Sequence, residues 1–196
     1  MRELIQPKGI VLHAMSEYIH RGALKWYGKK EQEINKYPEN IHACEWLAIL
    51  GLSAHGFISP EASWIGGNVD ETEKALHAGE SIHDDLKNLN NHYLGIEILI
   101  AGCNDYGTFL QKMKDPASYS KAVIQTCIQK CVDWRRRFNI PVENIVRHSD
   151  VSGDDVRGKN KGKKDPGGGF PFNQVIEAVK RGVLVCNRVK TNCEAD

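Results

Sequence analysis

Two histidines, each placed directly after an apolar stretch, could bind one metal ion together. His13 follows residues 10–12, His148 follows residues 144–147, and Asp165 comes later in a loop rich in glycine and lysine. These side chains are too far apart in the chain for a local metal-binding loop, so a folded sheet must bring them together. Histidine and carboxylate groups are zinc ligands, and a catalytic zinc ion keeps a fourth position for water. The pattern predicts a zinc hydrolase with one Zn2+ ion at His13, His148 and Asp165.

The metal interpretation depends on the three residues together. A single histidine is more often an ordinary hydrogen-bonded polar residue than a metal ligand. A zinc ion held by the three side chains would lower the pKa of its bound water to about 7 and polarise a substrate carbonyl.

Glu97 is a carboxylate in an otherwise apolar stretch, between Ile96 and Ile98. Burying a carboxylate is costly unless it is paired or functional. Loss of solvent would raise its pKa into the range useful for proton transfer. The alternative is that strand alternation points Glu97 at solvent, and the residue pattern alone leaves both interpretations open.

The loop of residues 157–164 carries five positive charges and no negative one. It could be a solvated loop, attracted to anionic polymers. Alternatively, one of its lysines could lie over the metal and stabilise an oxyanion. Two further histidines lie earlier in the chain: His77 could reach the same cleft, and His55 is as well explained by a structural role.

The elements that must position these residues alternate along the chain. Apolar runs predict strands at residues 10–12, 94–100 and 145–146, and a pair of strands around a turn within 53–67. Helical spacing predicts helices at residues 40–50, 119–138 and 171–180, and residues 149–169 are expected to form a long loop. This order predicts an α/β fold with a central mixed β-sheet flanked by α-helices. Ligands bind at strand ends in such sheets, where His13 and His148 are expected to lie.

Size and composition are those of an ordinary globular protein. The chain has 196 residues, of which 41% are hydrophobic and 26% charged, and its net charge is +1. We expect a single catalytic domain over 1–196, with a core at about 8–182, an insertion at 102–118 and a C-terminal tail at 183–196. The near-neutral charge predicts neither a nucleic-acid nor a membrane partner, and we expect a monomer.

The first residues contain no apolar signal region, so we expect cytoplasmic synthesis without a signal peptide, with action on the cell wall if the protein is released. Six cysteines are present, and in that compartment we expect reduced thiols. Cys127 and Cys131 are expected on the buried side of one helix. The absence of a CxxC pair argues against a cysteine zinc site.

Six segments together resemble the type 2 N-acetylmuramoyl-L-alanine amidases, a zinc family that shares its fold with peptidoglycan recognition proteins. The segments occur in the family's order and lie between residues 10 and 171, a span of most of the chain. They are IVLH at 10–13, SAHGFI at 53–58, LHAG at 76–79, NHYLGIE at 91–97, RHSD at 147–150 and KKDPGGGFP at 163–171.

The resemblance implies roles for individual residues. It implies that His13, His148 and Asp165 bind zinc, that Glu97 is the general base and that Lys163 stabilises the transition state. It also implies substrate binding, for which the candidates are His77, Asn91 and Lys164. The implied reaction is hydrolysis of the amide between the lactyl group of N-acetylmuramic acid and L-alanine of the stem peptide.

The sequence departs from the family pattern in three places. The long lysine-rich loop leaves Lys163 and Lys164 as alternatives for the catalytic cation. Residues 102–118 lengthen the chain after the Glu97 strand. Some members carry a catalytic tyrosine where this chain has Ala54, so this chain should depend on Glu97.

Three functions remain in competition at this point. The first is a lytic cell-wall amidase of the phage or prophage endolysin type, acting on peptidoglycan. The second is a cytosolic amidase that recycles anhydro-muropeptides. The third is a peptidoglycan-binding module without catalysis, which the complete set of zinc-ligand types disfavours.

Overall fold

A mixed β-sheet lies at the centre of the computed structural model, which describes residues 3–182 of the protein. The strands are β1 (Gly9–His20), β2 (Asn40–His42), β3 (Gly56–Ile58), β4 (Trp64–Gly66), β5 (Ile82–His83), β6 (Leu86–Lys87), β7 (Tyr93–Cys103) and β8 (Ile145–Arg147). The α-helices are α1 (Glu31–Ile34), α2 (Ala43–Ile49), α3 (Tyr106–Lys114), α4 (Lys121–Phe138), α5 (His148–Val151), α6 (Asp154–Arg157) and α7 (Phe172–Arg181). Short 3-10 helices span Arg21–Tyr27, Leu89–Asn91, Pro116–Ser118 and Val142–Asn144.

The main sheet has the strand order β2–β1–β7–β3–β4. Strands β1, β7 and β3 are parallel, and the outer strands β2 and β4 are antiparallel to their neighbours. Strand β8 pairs in parallel with the first half of β1, while β2 pairs with its last residues. Strands β5 and β6 form a separate two-stranded sheet. The predicted α/β fold with a mixed sheet is confirmed.

Apolar side chains cover both faces of the sheet. Ile10 and Leu12 of β1 belong to a core cluster that includes residues of α4 and α7. Leu99 of β7 belongs to a second cluster, on the opposite face, with Trp46 and Leu47 of α2. Strands covered on both faces lose the apolar–polar alternation of surface strands, which explains the continuous apolar run that becomes β7.

Most of the predicted elements are present. The helix predicted at 119–138 is α4, which begins after Ser120, whose side chain accepts a hydrogen bond from the Val123 N–H. The hairpin predicted within 53–67 is the β3–β4 pair, and the last predicted helix is α7. The helix predicted at 40–50 begins only at Ala43, because the residues before it form β2.

Two expectations about local structure are wrong. His13 does not end its strand, because β1 continues to His20. The shorter neighbour β8 does end next to it: Arg147 pairs with Leu12, so His148 leaves the sheet level with His13. The loop predicted at 149–169 is also more ordered than expected, since it contains the end of α5 and all of α6.

Helix α3 supports the loop that carries Asp165. The Gly169 N–H donates a hydrogen bond to the Met113 carbonyl at 2.9 Å. A Cβ atom at Gly169 would lie 2.7 Å from the Asp115 backbone, so this close approach requires glycine. The view of residues 102–118 as an insertion stays a prediction.

The predicted tail at 183–196, with Cys186 and Cys193, lies outside the described residues. Within 3–182, the four cysteines form no disulfide with one another. In the same part of the chain, no helix combines the length and apolarity needed to cross a bilayer.

Candidate metal centre and cleft

Three potential ligand atoms converge at one point. His13 Nδ1 lies 2.9 Å from His148 Nδ1, and His148 Nδ1 lies 3.0 Å from Asp165 Oδ2. The third side of the triangle, from His13 Nδ1 to Asp165 Oδ2, is 3.5 Å. The sheet positions both histidines, and two backbone hydrogen bonds fix Asp165. The Ala14 N–H donates to its Oδ2 at 3.4 Å, and the Ser149 N–H donates to its carbonyl at 2.9 Å.

Hydrogen bonds on the far sides of the rings determine where the protons lie. His148 Nε2 donates to the Ala78 carbonyl at 3.1 Å, which leaves its Nδ1 unprotonated in the neutral ring. His77 Nε2 donates to the Tyr93 carbonyl at 2.9 Å, so its Nδ1 must accept. The donor to His77 Nδ1 is His13 Nε2, at 2.8 Å. His13 Nδ1 is therefore also unprotonated, and two lone pairs and one carboxylate oxygen face each other.

The charge states of the ligand groups suit a cation. Burial, with His148 nearby, lowers the pKa of His13 to about 4, so the ring is neutral at pH 7. Burial opposes ionisation of Asp165, but the adjacent His148 and His13 hold the pKa of that carboxyl well below its usual range.

The donor set fits a zinc ion. Zinc bonds of about 2.0–2.2 Å in tetrahedral geometry separate neighbouring ligand atoms by about 3.4 Å, close to the three distances of the cluster. Without a cation, the two lone pairs and the carboxylate oxygen would repel one another. Within residues 3–182, His13, His148 and Asp165 form the group of metal-ligating side chains that lies close enough to hold one ion.

Glu97 lies beside this cluster. Parallel pairing of β1 and β7 places Glu97 directly across from His13, and the residue is only 7% exposed. The alternative that Glu97 points at solvent is therefore wrong. Burial raises the pKa of Glu97 to about 8; the charge of Asp165 also raises it and that of Lys163 opposes the rise. Within the described chain, no hydrogen bond or ion pair reaches this carboxylate, so it is available to a bound molecule.

A cleft of about 880 Å³ opens over the cluster. The three potential ligands, Glu97 and residues of α3 line it. Three large aromatic residues in the lining are mostly exposed: Trp26 at 81%, Tyr106 at 66% and Tyr27 at 57%. The cleft therefore combines a polar, buried floor with exposed aromatic groups nearer to solvent.

The two candidate lysines both line the cleft but differ in their contacts. Lys164 Nζ forms an ion pair with Asp154 at 3.1 Å. No side chain within 3–182 pairs with Lys163 Nζ, and the Lys163 backbone N–H donates to the Ser152 carbonyl at 2.8 Å. Because its backbone is fixed and its ammonium group is unpaired, Lys163 is the better candidate for the lysine that stabilises an oxyanion.

The other predicted site residues lie in different places. His77 lines the cleft, but both of its ring nitrogens are engaged by His13 and Tyr93. Asn91 does not line the cleft, because it lies in the 3-10 helix before β7; its Oδ1 is buried without a hydrogen-bond partner in the described chain. The substrate roles of His77, Asn91 and Lys164 stay predictions.

His55 has the structural role that the sequence left open. Its ring is 3% exposed. The Gly95 N–H donates to His55 Nδ1 at 2.9 Å, and His55 Nε2 donates to the Glu73 carbonyl at 2.9 Å. Ala54, next to it, is fully buried.

Sequence reasoning missed two groups that support the cluster. They are the carbonyl of Ala78, which accepts from His148, and the side chain of Asn90. Asn90 Oδ1 accepts from the backbone N–H groups of His77 and Ala78 at 2.9 and 2.7 Å. A backbone carbonyl cannot be identified from residue types, because every residue has one. Asn90 directly precedes the 91–97 segment, and nothing in the sequence distinguishes it from Asn91 as a supporting residue.

Comparisons with known proteins agree with this geometry. A sequence profile described as N-acetylmuramoyl-L-alanine amidase matches residues 3–168. N-acetylmuramoyl-L-alanine amidase AmiD of Escherichia coli K12 is 32% identical over 109 residues, which are 56% of this chain and 36% of AmiD. This chain therefore spans only about a third of that relative's length.

Solved structures share the fold. A selenomethionine derivative of AmpD superposes with a TM-score of 0.58 at 21% identity, over 89% of this chain and 84% of that one. AmpDh3 from Pseudomonas aeruginosa, solved in complex with anhydromuramic pentapeptide, gives a TM-score of 0.56 at 25% identity. That match covers 90% of this chain and 61% of the other.

Proposed function

The chain belongs to the N-acetylmuramoyl-L-alanine amidase family, and from this premise we propose that it is a zinc-dependent peptidoglycan amidase. The bond cut is the amide between the lactyl group of N-acetylmuramic acid and L-alanine of the stem peptide. The observation that carries the proposal is the cluster of His13, His148 and Asp165, with three unprotonated ligand atoms beside the buried Glu97.

His13, His148 and Asp165 hold the metal ion in this proposal. Zinc bound there supplies Lewis acidity, which activates water at neutral pH and polarises the substrate carbonyl. With a Zn2+ ion bound, two neutral histidines and one carboxylate would leave the site with a net positive charge, which would favour the negative charge that develops on the amide oxygen.

Glu97 moves the proton. Its carboxylate accepts a proton from the water that attacks the lactyl carbonyl, and it then delivers that proton to the amide nitrogen as the C–N bond breaks. The products are a lactyl carboxylate on the sugar and a free amino group on alanine. The burial of Glu97 supports this role, because a buried carboxyl group takes up and releases protons near neutral pH.

Lys163 stabilises the negative charge that develops on the carbonyl oxygen. Its ammonium group has no ion-pair partner in the described chain and lines the same cleft as Glu97. A preorganised cation at such a position lowers the energy of the transition state more than that of the substrate. Lys164, paired with Asp154, is less able to serve in this role.

Two forms of substrate are compatible with the cleft. We favour polymeric peptidoglycan and therefore a lytic, endolysin-like amidase, because the cleft is open and carries exposed aromatic and basic side chains. A soluble anhydro-muropeptide is the second candidate, and it is favoured by the fold shared with AmpDh3, which was solved with anhydromuramic pentapeptide.

Product analysis distinguishes these possibilities. Purified, zinc-loaded protein is incubated with intact sacculi and, separately, with soluble anhydro-muropeptides, and the products are identified by mass spectrometry. Release of free stem peptides from sacculi supports the lytic amidase, and cleavage of the soluble substrate alone supports recycling. Protein that binds muropeptides but cleaves neither substrate after zinc addition would be a binding module.

A further inference from the structure

We propose that His77 and Ala78 form a two-residue clamp that orients both histidine ligands for the metal. In this view His77 is a positioning residue, which acts through His13, and not a group that contacts substrate. The inference rests on the metal centre of the proposed function. It adds the residues that fix the ligand rings and assigns Asn90 to that support.

The ring of His77 fixes His13. His77 Nδ1 accepts from His13 Nε2 at 2.8 Å, and His77 Nε2 donates to the Tyr93 carbonyl at 2.9 Å. Since a backbone carbonyl can only accept, two neutral histidine rings can place their protons along this path in only one way. It leaves His13 Nδ1 free of a proton and directed at His148 and Asp165.

The carbonyl of the next residue fixes the other histidine. Ala78 O accepts from His148 Nε2 at 3.1 Å, which holds the His148 Nδ1 lone pair toward the same point. One short segment therefore sets the tautomer of both ligand rings. Metal-bound histidines commonly receive such support, and its loss typically weakens metal affinity or activity about 10- to 100-fold.

Two features hold the clamp in place. Asn90 Oδ1 accepts from both backbone N–H groups, those of His77 and Ala78, at 2.9 and 2.7 Å. The His77 ring also packs directly against the backbone of Gly95, where a Cβ atom would lie only 2.6 Å from His77 Cγ. With both ring nitrogens bonded and one side packed on β7, the ring has little freedom to turn toward a substrate.

Zinc affinity tests the clamp, measured by competition with a chromophoric chelator on the full chain. His77→Leu removes both hydrogen bonds, whereas His77→Gln keeps one acceptor and one donor. We expect His77→Leu to bind zinc about 10- to 100-fold more weakly than wild type. We expect His77→Gln to recover most of the zinc affinity. When the proteins are loaded with Co2+, the intensity of the visible spectrum should fall in the same order, from wild type through His77→Gln to His77→Leu.

A matched histidine and a second pair of variants provide the controls. His55 is also buried and bonds to two backbone groups; its ring lies edge-on to that of His77, with centroids 5.8 Å apart, but it touches neither ligand histidine. His55→Gln should therefore keep wild-type zinc affinity even if its thermal unfolding temperature falls. Asn90→Ala should weaken zinc binding, while Asn90→Asp, which still accepts both N–H groups, should not. If His77→Leu does not fold, the comparison of Asn90→Ala with Asn90→Asp tests the clamp in its place.

Each outcome has a distinct meaning. Wild-type affinity in folded His77→Leu and Asn90→Ala would overturn the clamp while leaving the metal centre intact. Equal loss of affinity in His77→Leu and His55→Gln would also overturn it, because the effect would then be general destabilisation. A wild-type protein that binds no zinc would overturn both the clamp and the metal centre.

Discussion

Replacing Glu97 by glutamine should remove proton transfer and leave metal binding intact. The two side chains have nearly the same shape, and Glu97 does not belong to the ligand cluster. A general base contributes about 10²- to 10⁴-fold to rate. The turnover number of Glu97→Gln should fall by that factor, which corresponds to about 3–5 kcal/mol of activation free energy. Zinc content should stay at one ion per chain.

The same substitution should change the stability of the chelated, metal-free protein in a pH-dependent way. The Glu97 carboxyl ionises at its usual pKa of 4.5 when the chain is unfolded, but only at about 8 when it is folded. The unfolded state therefore binds fewer protons between these values, and the wild type loses stability as pH rises, by about 1.4 kcal/mol per unit. Glutamine cannot ionise, so metal-free Glu97→Gln should be the more stable protein at pH 9.

Steady-state kinetics with zinc analysis, and urea unfolding of the chelated proteins at pH 5 and 9, test these two expectations. Glu17→Gln is the matched control: Glu17 lies on β1, accepts from the Gly102 N–H at 2.9 Å and does not line the cleft. It should behave like wild type in both assays. Near wild-type turnover in zinc-loaded Glu97→Gln would remove Glu97 from the base role, and loss of zinc would place it in metal binding instead.

Three further outcomes follow from the site. His13→Ala or His148→Ala should lose both zinc and activity, and retention of stoichiometric zinc by either would refute the ligand set. Lys163→Ala should lower kcat about 10²- to 10³-fold with zinc retained, while Lys164→Ala changes it little; an unchanged kcat in both would end the oxyanion role. Chelation should lower the thermal unfolding temperature and zinc should restore it, since a ligand that binds only the folded chain stabilises it. An unchanged unfolding temperature would contradict a metal bound to the folded state.

The sequence was sufficient for the general architecture and for naming the three side chains that converge as a possible metal site. The apolar run around Glu97 and the stripe of α4 carry strong periodic signals, and both elements are present. His13, His148 and Asp165 could be chosen because histidine and carboxylate are the residue types that zinc requires.

The details that depend on long-range packing could not be predicted. Beyond His13, β1 pairs with β7 as far as Tyr18, and its last residues pair with β2, a strand of only three residues. The direction of Glu97 could not be read from a strand that is apolar on both faces. The hydrogen bonds of the His77 ring to His13 and to the Tyr93 carbonyl depend on how the 76–79 segment packs against β1 and β7, which no local pattern predicts.

The measurement that tests the central claim most directly is digestion of a defined muropeptide in H₂¹⁸O, followed by mass spectrometry of the fragments. If the chain is the amidase proposed here, one ¹⁸O atom enters the lactyl carboxylate of the muramic acid, and the released stem peptide carries an unlabelled, free L-alanine amino terminus. Label in a peptide carboxylate, cleavage of a glycosidic bond, or no cleavage by zinc-loaded protein would contradict it.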